Sequence, residues 1–424
     1  MVYERRVLDG TLDELFPHLA AIAIEGAKGV GKTATASQRV TTILDLTDPS
    51  QRRSVADNYH LVTQLPPPVL VDEWQLEPSV WDRVRTAVDQ DKRGGQFLLT
   101  GSAGVGSGVR IHSGAGRIVS LQLRPMSLYE RGVAEPTVSV KDLVSGNQTA
   151  IEGSTTVDLE CYVSEILASG FPGIRDLPST ARDAQLDGYI ARIVNRELDD
   201  DLRIRRPSEL RQWLAAYGAA TSTDTSYSNI LDAATPGESE KPVRQTVAQY
   251  RDHLRRLYVL DPLEAWVPSF SPLKRLTKTP KHHLVDPALA ARLVGISTQG
   301  LLLGQGERIT ARPETNTWLG ALFESLAVQS IRVYAEAARA QVGHLRTHNT
   351  LHEIDIIIEA QDRSIVAVEV KLSASITDHD VRHLNWLKDQ LGDRVVDRVC
   401  ITTGGYAYRR PDGVAVVPLA LLGP

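Results

Sequence analysis

The stretch LAAIAIEGAKGVGKTATASQRV, Leu19 to Val40, decides how the chain reads. Ala20 to Ile24 is a short apolar run suited to a buried strand, and Thr33 to Val40 suits a helix. Between them, Gly26, Ala27, Lys28, Gly29, Val30, Gly31, Lys32 and Thr33 complete a GxxxxGK[ST] pattern. Glycines let the backbone curl so that successive N–H groups face phosphate oxygens, and the helix adds its positive N-terminus. In this pattern Lys32 reaches the β- and γ-phosphates, Thr33 sets its hydroxyl on Mg²⁺, and Ala34 continues the binding turn.

Two further strands extend the unit. Pro68 to Val71 is followed by Asp72 and Glu73, an apolar strand ending in an acid pair. Asp72 is expected to assist Mg²⁺, and Glu73 to orient and polarise an attacking water. Gln96 to Thr100 ends in Gly101 and Ser102. Ligands sit at the carboxyl ends of strands in open α/β sheets, so Thr100 or Ser102 either senses the γ-phosphate or caps a strand end. Arg110 and Arg117 are candidates for a finger on a neighbouring subunit's phosphate, with a solvated surface arginine as the plain alternative.

Loop, acid strand, polar-ended strand and arginine, in that order, resemble AAA-type P-loop ATPases. The strand ending in DEWQ and the GR…LRPMSLYE segment are similar to bacterial and archaeal members that carry a winged-helix module and a nuclease-like carboxyl-terminal domain. The resemblance implies ATP and Mg²⁺ as cofactors, with adenine favoured over guanine because no TKxD or NKxD motif follows.

At 424 residues the chain exceeds what one hydrophobic core usually serves. We expect an AAA-type domain over 1–145, a helical and winged-helix domain over 155–298, and an α/β nuclease-like domain over 305–424. The polar, Gly/Ser-spotted stretch from Val138 to Thr155 reads as a linker. Helical spacing marks Leu159–Ala168 and Ala184–Leu198, the latter with Ile190, Ile193, Val194 and Leu198 on one stripe. Further helices are expected from Ser208, over Ser226–Ala234 and over Val243–Leu257, followed by an extended ribbon. Two helices across a turn followed by a ribbon read as a winged helix. Its basic run, Lys274, Arg275, Lys278, Lys281, His282 and His283, then contacts phosphates, or is a solvated ribbon, or packs against the ATPase.

The last segment poses a sharper question. EIDIIIEAQDRSIVAVEVKLS, Glu353 to Ser373, holds two strands around a polar turn at Ala360–Ser364. Glu369 and Lys371 project the same way, and a hairpin brings Asp355 beside them; 369 − 355 gives a spacing of 14. Asp355 and Glu369 would make a hard oxygen site for Mg²⁺, with Lys371 activating water or steadying phosphate charge. This is the D…ExK arrangement of PD-(D/E)xK nucleases. Glu324, on the preceding helix Trp318–Tyr334, supplies the extra acid often found there. The alternative is a surface ion pair of under about 1 kcal/mol.

Composition is that of a globular protein, 42% hydrophobic and 23% charged. The net charge of −5 argues against non-specific coating of nucleic acid. Cys161 and Cys400 alone cannot build a disulfide framework or a zinc cluster. With no signal-like start and no long apolar run, a cytoplasmic location is expected. The first hypothesis is an ATP hydrolase driving a module that acts on nucleic acid, DNA favoured over RNA, in a homo-oligomer, with phosphodiester cleavage open. The rival is a nucleotide-set assembly switch whose last domain binds a partner without cutting.

Overall fold

Ala21 to Glu25 (β1) is buried on both faces, which places it inside a sheet covered from both sides. With Thr42–Asp45 (β2), Val69–Asp72 (β3), Phe97–Gly101 (β4) and Ile118–Gln122 (β5) it forms a parallel sheet in the order β2-β3-β4-β1-β5. The computed structural model describes residues 3–102, 115–147, 150–195, 207–235, 244–267, 279–302, 313–347 and 351–424. Arg110, Leu198, Lys274, Arg275 and Lys278, singled out above, lie outside them.

Alternation divides the sheet's side chains between two cores. Ala21, Ala23, Val69, Val71 and Leu99 face a local core with Trp74, Trp81 and Val84. Ile22, Ile24, Leu70 and Leu98 face a second core that continues through Tyr162, Trp213 and Phe323 to Val417. One face of the β1–β5 sheet is thus buried by the rest of the chain. Helix α1 (Val7–Leu15), α2 (Lys32–Ser37) and α3 (Ser79–Gln90) flank the sheet.

The middle of the chain is helical: α4 (Leu159–Ala168), α5 (Pro172–Arg175), α6 (Ser179–Asn195), α7 (Pro207–Ala219), α8 (Tyr227–Ala234), α9 (Arg244–Arg256) and α10 (Pro287–Val294). After α9, Leu260 pairs with Leu284 and Leu263 with Lys281, an antiparallel ribbon. That ribbon does not stand in solvent. Ala265 bridges His344, and Lys281, His282 and His283 are all buried. The expectation of a basic run available to phosphates is therefore corrected for these three residues. Lys281 and His283 pack inward against the following segment, at Asp355 and Ser325, while His282 packs against Thr225, Tyr217 and Tyr227 of the helical middle.

The last segment opens with the long helix α11 (Pro313–Ala337). A sheet follows, made of β8 (Gln341–Arg346), β9 (Glu353–Glu359), β10 (Ile365–Val370), β11 (Val395–Thr402), β12 (Tyr406–Arg409) and β13 (Ala415–Pro418), together with the earlier short strand β7 (Gly153–Ser154); Val138–Ser139 is β6. Helix α12 (Asp378–Leu391) connects β10 to its parallel neighbour β11. β9 and β10 form the antiparallel hairpin expected from the sequence, with Val368 opposite Ile356.

The expected linker is built into this part of the molecule. Val138–Ser139 pairs in parallel with Leu422–Gly423, and Gly153–Ser154 pairs with Tyr406 and Ala407. Val138, Val140 and Leu143 are buried. These apolar residues, interspersed among the polar ones, give the stretch something to bury, so it packs instead of running free.

Candidate functional site

The phosphate loop follows β1 directly. Gly26 takes φ +154°, and a Cβ there would stand 2.2 Å from the Leu123 carbonyl oxygen. Gly31, at φ +102°, is the left-handed residue from which α2 starts. Lys32 is buried, and its Nζ donates to the carbonyls of Gly26 at 2.9 Å and Ala27 at 3.0 Å. Thr33 Oγ1 donates to Asp72 Oδ1 at 2.8 Å, across from the end of β3. The Thr100 hydroxyl donates to the same carboxylate oxygen. Burial pushes the Asp72 carboxyl above its ordinary range, against the two hydroxyls.

A hydroxyl and a carboxylate within hydrogen-bond reach are hard oxygen donors of the type that holds Mg²⁺. The donors present here therefore fit that ion. Lys28, Gly29, Val30 and Ala34 complete the turn and the start of α2.

Glu73 sits at φ +52°, ψ +47°, left-handed backbone that a glutamate rarely adopts. Its Oε2 accepts from Ser102 Oγ at 2.8 Å and from Gln75 Nε2. The two polar residues at the end of β4 are therefore divided, Thr100 on Asp72 and Ser102 on Glu73. Arg117 is not brought to the loop of its own chain. It precedes Ile118, which is level with Ala21 at the opposite end of β1, and it pairs with Asp89 at 2.9 Å.

A cavity of about 300 Å³ opens beside the loop, lined by Tyr3, Arg6, Gly31, Ala34, Pro172 and Arg175 among others. Arg6 is the group that sequence reading missed. Its guanidinium donates to the Val30 carbonyl at 2.9 Å, to the Arg124 carbonyl at 2.8 Å and to Glu130 at 3.0 Å. Leu128 N and Tyr129 N donate in turn to Ser330 Oγ at 3.1 Å and Tyr334 Oη at 3.0 Å, both on α11. The LRPMSLYE segment thus ties the phosphate loop to the last part of the chain.

A second polar centre lies at the β9–β10 hairpin. One step past Val368 and Ile356, the hairpin register sets Glu369 opposite Asp355. Lys281 Nζ stands 2.8 Å from Asp355 Oδ1, 2.9 Å from Glu324 Oε1 and 3.0 Å from Glu353 Oε1. Lys371 Nζ is 2.7 Å from Glu369 Oε1, and Val370 N donates to Asp355 Oδ2 at 2.9 Å. Glu369 Oε2 is buried with no hydrogen-bond partner. Burial, then Asp355, pushes the Glu369 carboxyl up to about 8; burial pushes Glu324 to about 8 as well. Burial works against Asp355 too, but Lys281 and Lys371 hold it below its ordinary range.

The expected metal set of Glu324, Asp355 and Glu369 is corrected by this arrangement. Glu324 and Asp355 converge on an ammonium, Glu369 turns to Lys371, and no group of three or more His, Cys, Asp or Glu among the described residues could hold a metal. The residues present do not fit a bound Mg²⁺ here.

With this geometry in view, comparison with known families matches residues 19–131 to an AAA domain. That segment is similar to an AAA domain. Residues 160–300 and 319–422 match two domains of unknown function, DUF8612 and DUF4143. An uncharacterized protein of Mycobacterium bovis and one of Mycobacterium tuberculosis are each 26% identical over 336 residues, 77% of this chain and 66% of theirs. The alignment thus spans just under two thirds of those relatives' own length. A solved structure of replication initiator DnaA bound to AMPPCP and single-stranded DNA is similar at 14% identity, covering 58% of this chain and 86% of that one. Its TM-score of 0.23 is too low for the overall folds to superpose.

The segment similar to an AAA domain carries the loop, the acids Asp72 and Glu73, and the β4 polar residues. No helix among the described residues is long and apolar enough to cross a membrane. Besides Arg6, sequence reading missed Glu353 and the inward role of Lys281. Glu353 had a signal: it lies two residues before Asp355, on the same strand face. Lys281 had none, because only the folded ribbon brings it to the hairpin.

Proposed function

We propose that the AAA domain binds ATP with Mg²⁺ and hydrolyses it, and that the nucleotide state is relayed to the carboxyl-terminal α/β domain. The observation that carries this reading is the Thr33–Asp72 hydrogen bond at 2.8 Å beside the Lys32 ammonium. Thr33 and Asp72 hold Mg²⁺, which supplies charge neutralisation to the phosphates. Lys32 exchanges its carbonyl partners for phosphate oxygens, and the backbone of Gly26 to Thr33 cradles them. Adenosine occupies the cavity of about 300 Å³ beside Ala34 and Tyr3. Glu73, released from Ser102 and Gln75, orients the attacking water. Thr100 positions Asp72 through its hydroxyl.

The relay runs through Arg6, whose contacts reach both the Val30 carbonyl and Glu130, and on through Leu128 and Tyr129 to α11. Of the two uses of the last domain, binding a partner without cutting is favoured over phosphodiester cleavage. The support is the Lys281 ammonium among Glu324, Glu353 and Asp355. Action on DNA is the further reading; burial of Lys281, His282 and His283 removes half of the basic run that motivated it. The test is ATP turnover by the purified chain with and without duplex or single-stranded DNA. Turnover absent in wild type contradicts the ATPase reading; turnover indifferent to DNA supports the switch over the DNA-driven machine.

A further inference from the structure

Lys281 reaches the hairpin centre from outside the segment that holds the carboxylates. Its backbone exchanges both hydrogen bonds with Leu263 at 2.9 Å, and Val285 N donates to Val259 O at 2.9 Å. The strand carrying it is fastened on its other side as well. His344 Nε2 meets the Thr279 carbonyl at 2.9 Å, and His283 Nδ1 lies 3.2 Å from Ser325 Oγ on α11. Lys281 is thereby held 2% exposed, with three carboxyl groups within 3.0 Å of its nitrogen.

The surroundings are arranged for one compact positive charge. Burial alone would strip the ammonium of its proton, yet Asp355, Glu324 and Glu353 outweigh it and hold Lys281 well above the ordinary lysine range. A divalent ion bound by Asp355 and Glu324 would have to stand within about 2–2.5 Å of the same oxygens, against the ammonium. Two cations at that separation in a buried site repel strongly, so the centre has room for one or the other.

We propose that Lys281 is the resident cation of this centre: its ammonium takes the place of the divalent ion that the D…ExK pattern leads one to expect. The domain therefore keeps nuclease-type side chains while taking up no metal, as long as the 279–285 strand is docked. This rests on the non-cutting reading of the last domain and is independent of ATP hydrolysis.

The experiment is calorimetric titration of Mn²⁺ into the nucleotide-free full chain, in wild type, D355N, K281M and K281M/D355N. Wild type is expected to show no Mn²⁺ uptake that D355N removes. K281M is expected to take up one Mn²⁺ per chain, its dissociation constant falling to on the order of 100 μM, the weak end of oxygen-ligand sites. K281M/D355N loses that gain. Because Lys281→Met leaves buried carboxylates unpaired, the charge-balanced K281M/E353Q, which keeps the Asp355 and Glu324 oxygens, is titrated alongside, with melting temperature as a second readout. Mn²⁺ should raise the melting temperature of K281M and K281M/E353Q, and shift wild type no more than it shifts D355N. Asp355-dependent Mn²⁺ binding in wild type overturns the proposal, as does a folded K281M or K281M/E353Q protein that gains no Mn²⁺. Failure of ATP turnover in the same preparation bears on the phosphate loop alone.

Discussion

Ser102 Oγ lies 2.8 Å from Glu73 Oε2, so the residue cast as water-orienting acid is tied down by the end of the adjacent strand. Glu73→Gln should keep ATP affinity within about threefold while lowering turnover by roughly 100-fold or more. Ser102→Ala removes one tie and should raise basal turnover several-fold. Steady-state phosphate release, with nucleotide affinity measured in parallel, reads both. An E73Q protein that turns over normally would remove Glu73 from the chemistry.

Arg6 and Glu130 form a buried ion pair at 3.0 Å that also touches the phosphate loop through Val30. Arg6→Met leaves Glu130 buried and uncompensated, at a cost of roughly 3–5 kcal/mol. Arg6→Lys cannot reproduce contacts to two carbonyls and a carboxylate at once, and should recover little of it. Thermal melts with and without nucleotide would show lowered stability together with weakened nucleotide binding. A variant that melts like wild type contradicts the role given to this pair.

His344 gives the account a pH signature. Burial, then Lys281, holds its imidazole down at about 4, against an ordinary value near 6.5, while Glu353 and Asp224 pull the other way. The ring is neutral in the folded protein and donates through Nε2 to the Thr279 carbonyl. As pH falls from about 6.5 toward 4, the unfolded chain takes up the proton first, so stability is lost across that window and is full above it. His282 and His283 shift in the same direction. His344→Gln keeps a donor and should flatten part of the decline in melting temperature between pH 7 and 4.5. An unchanged slope would contradict the assignment.

What could be read from the sequence follows from how local each signal is. The loop, β3 with Asp72 and Glu73, and β4 with Thr100 and Ser102 are contiguous motifs whose strand and helix context lies within a few residues. The hairpin of β9 and β10 was equally legible, because two apolar runs around a short polar turn leave one pairing. The fate of the charges was not. Lys281 lies 74 residues before Asp355, and its basic neighbours made it look like a solvent-facing wing. Arg6 and Glu130 are 124 residues apart, joined only by the packing of the first residues against the segment after β5. The stretch over 138–155 was misread because a few valines and leucines among polar residues sufficed to build it into the last sheet region.

Thr33 and Asp72 should act together on magnesium. Thr33→Ala and Asp72→Asn should each weaken ATP binding in Mg²⁺ buffer by on the order of tenfold, and change it little in EDTA, because each removes one oxygen donor to the ion. Equal losses with and without Mg²⁺ would mean the two residues serve the loop's shape instead.

The central claim is that a nucleotide triphosphate sits on the amides around Gly29 to Thr33. Isothermal titration of ATP with Mg²⁺ into the folded, nucleotide-free chain tests it most directly. We predict saturable binding near one ATP per chain, in the micromolar range, lost in Lys32→Ala protein whose circular dichroism matches wild type. Absence of binding heat from well-folded wild type, or undiminished binding by Lys32→Ala, would contradict the account.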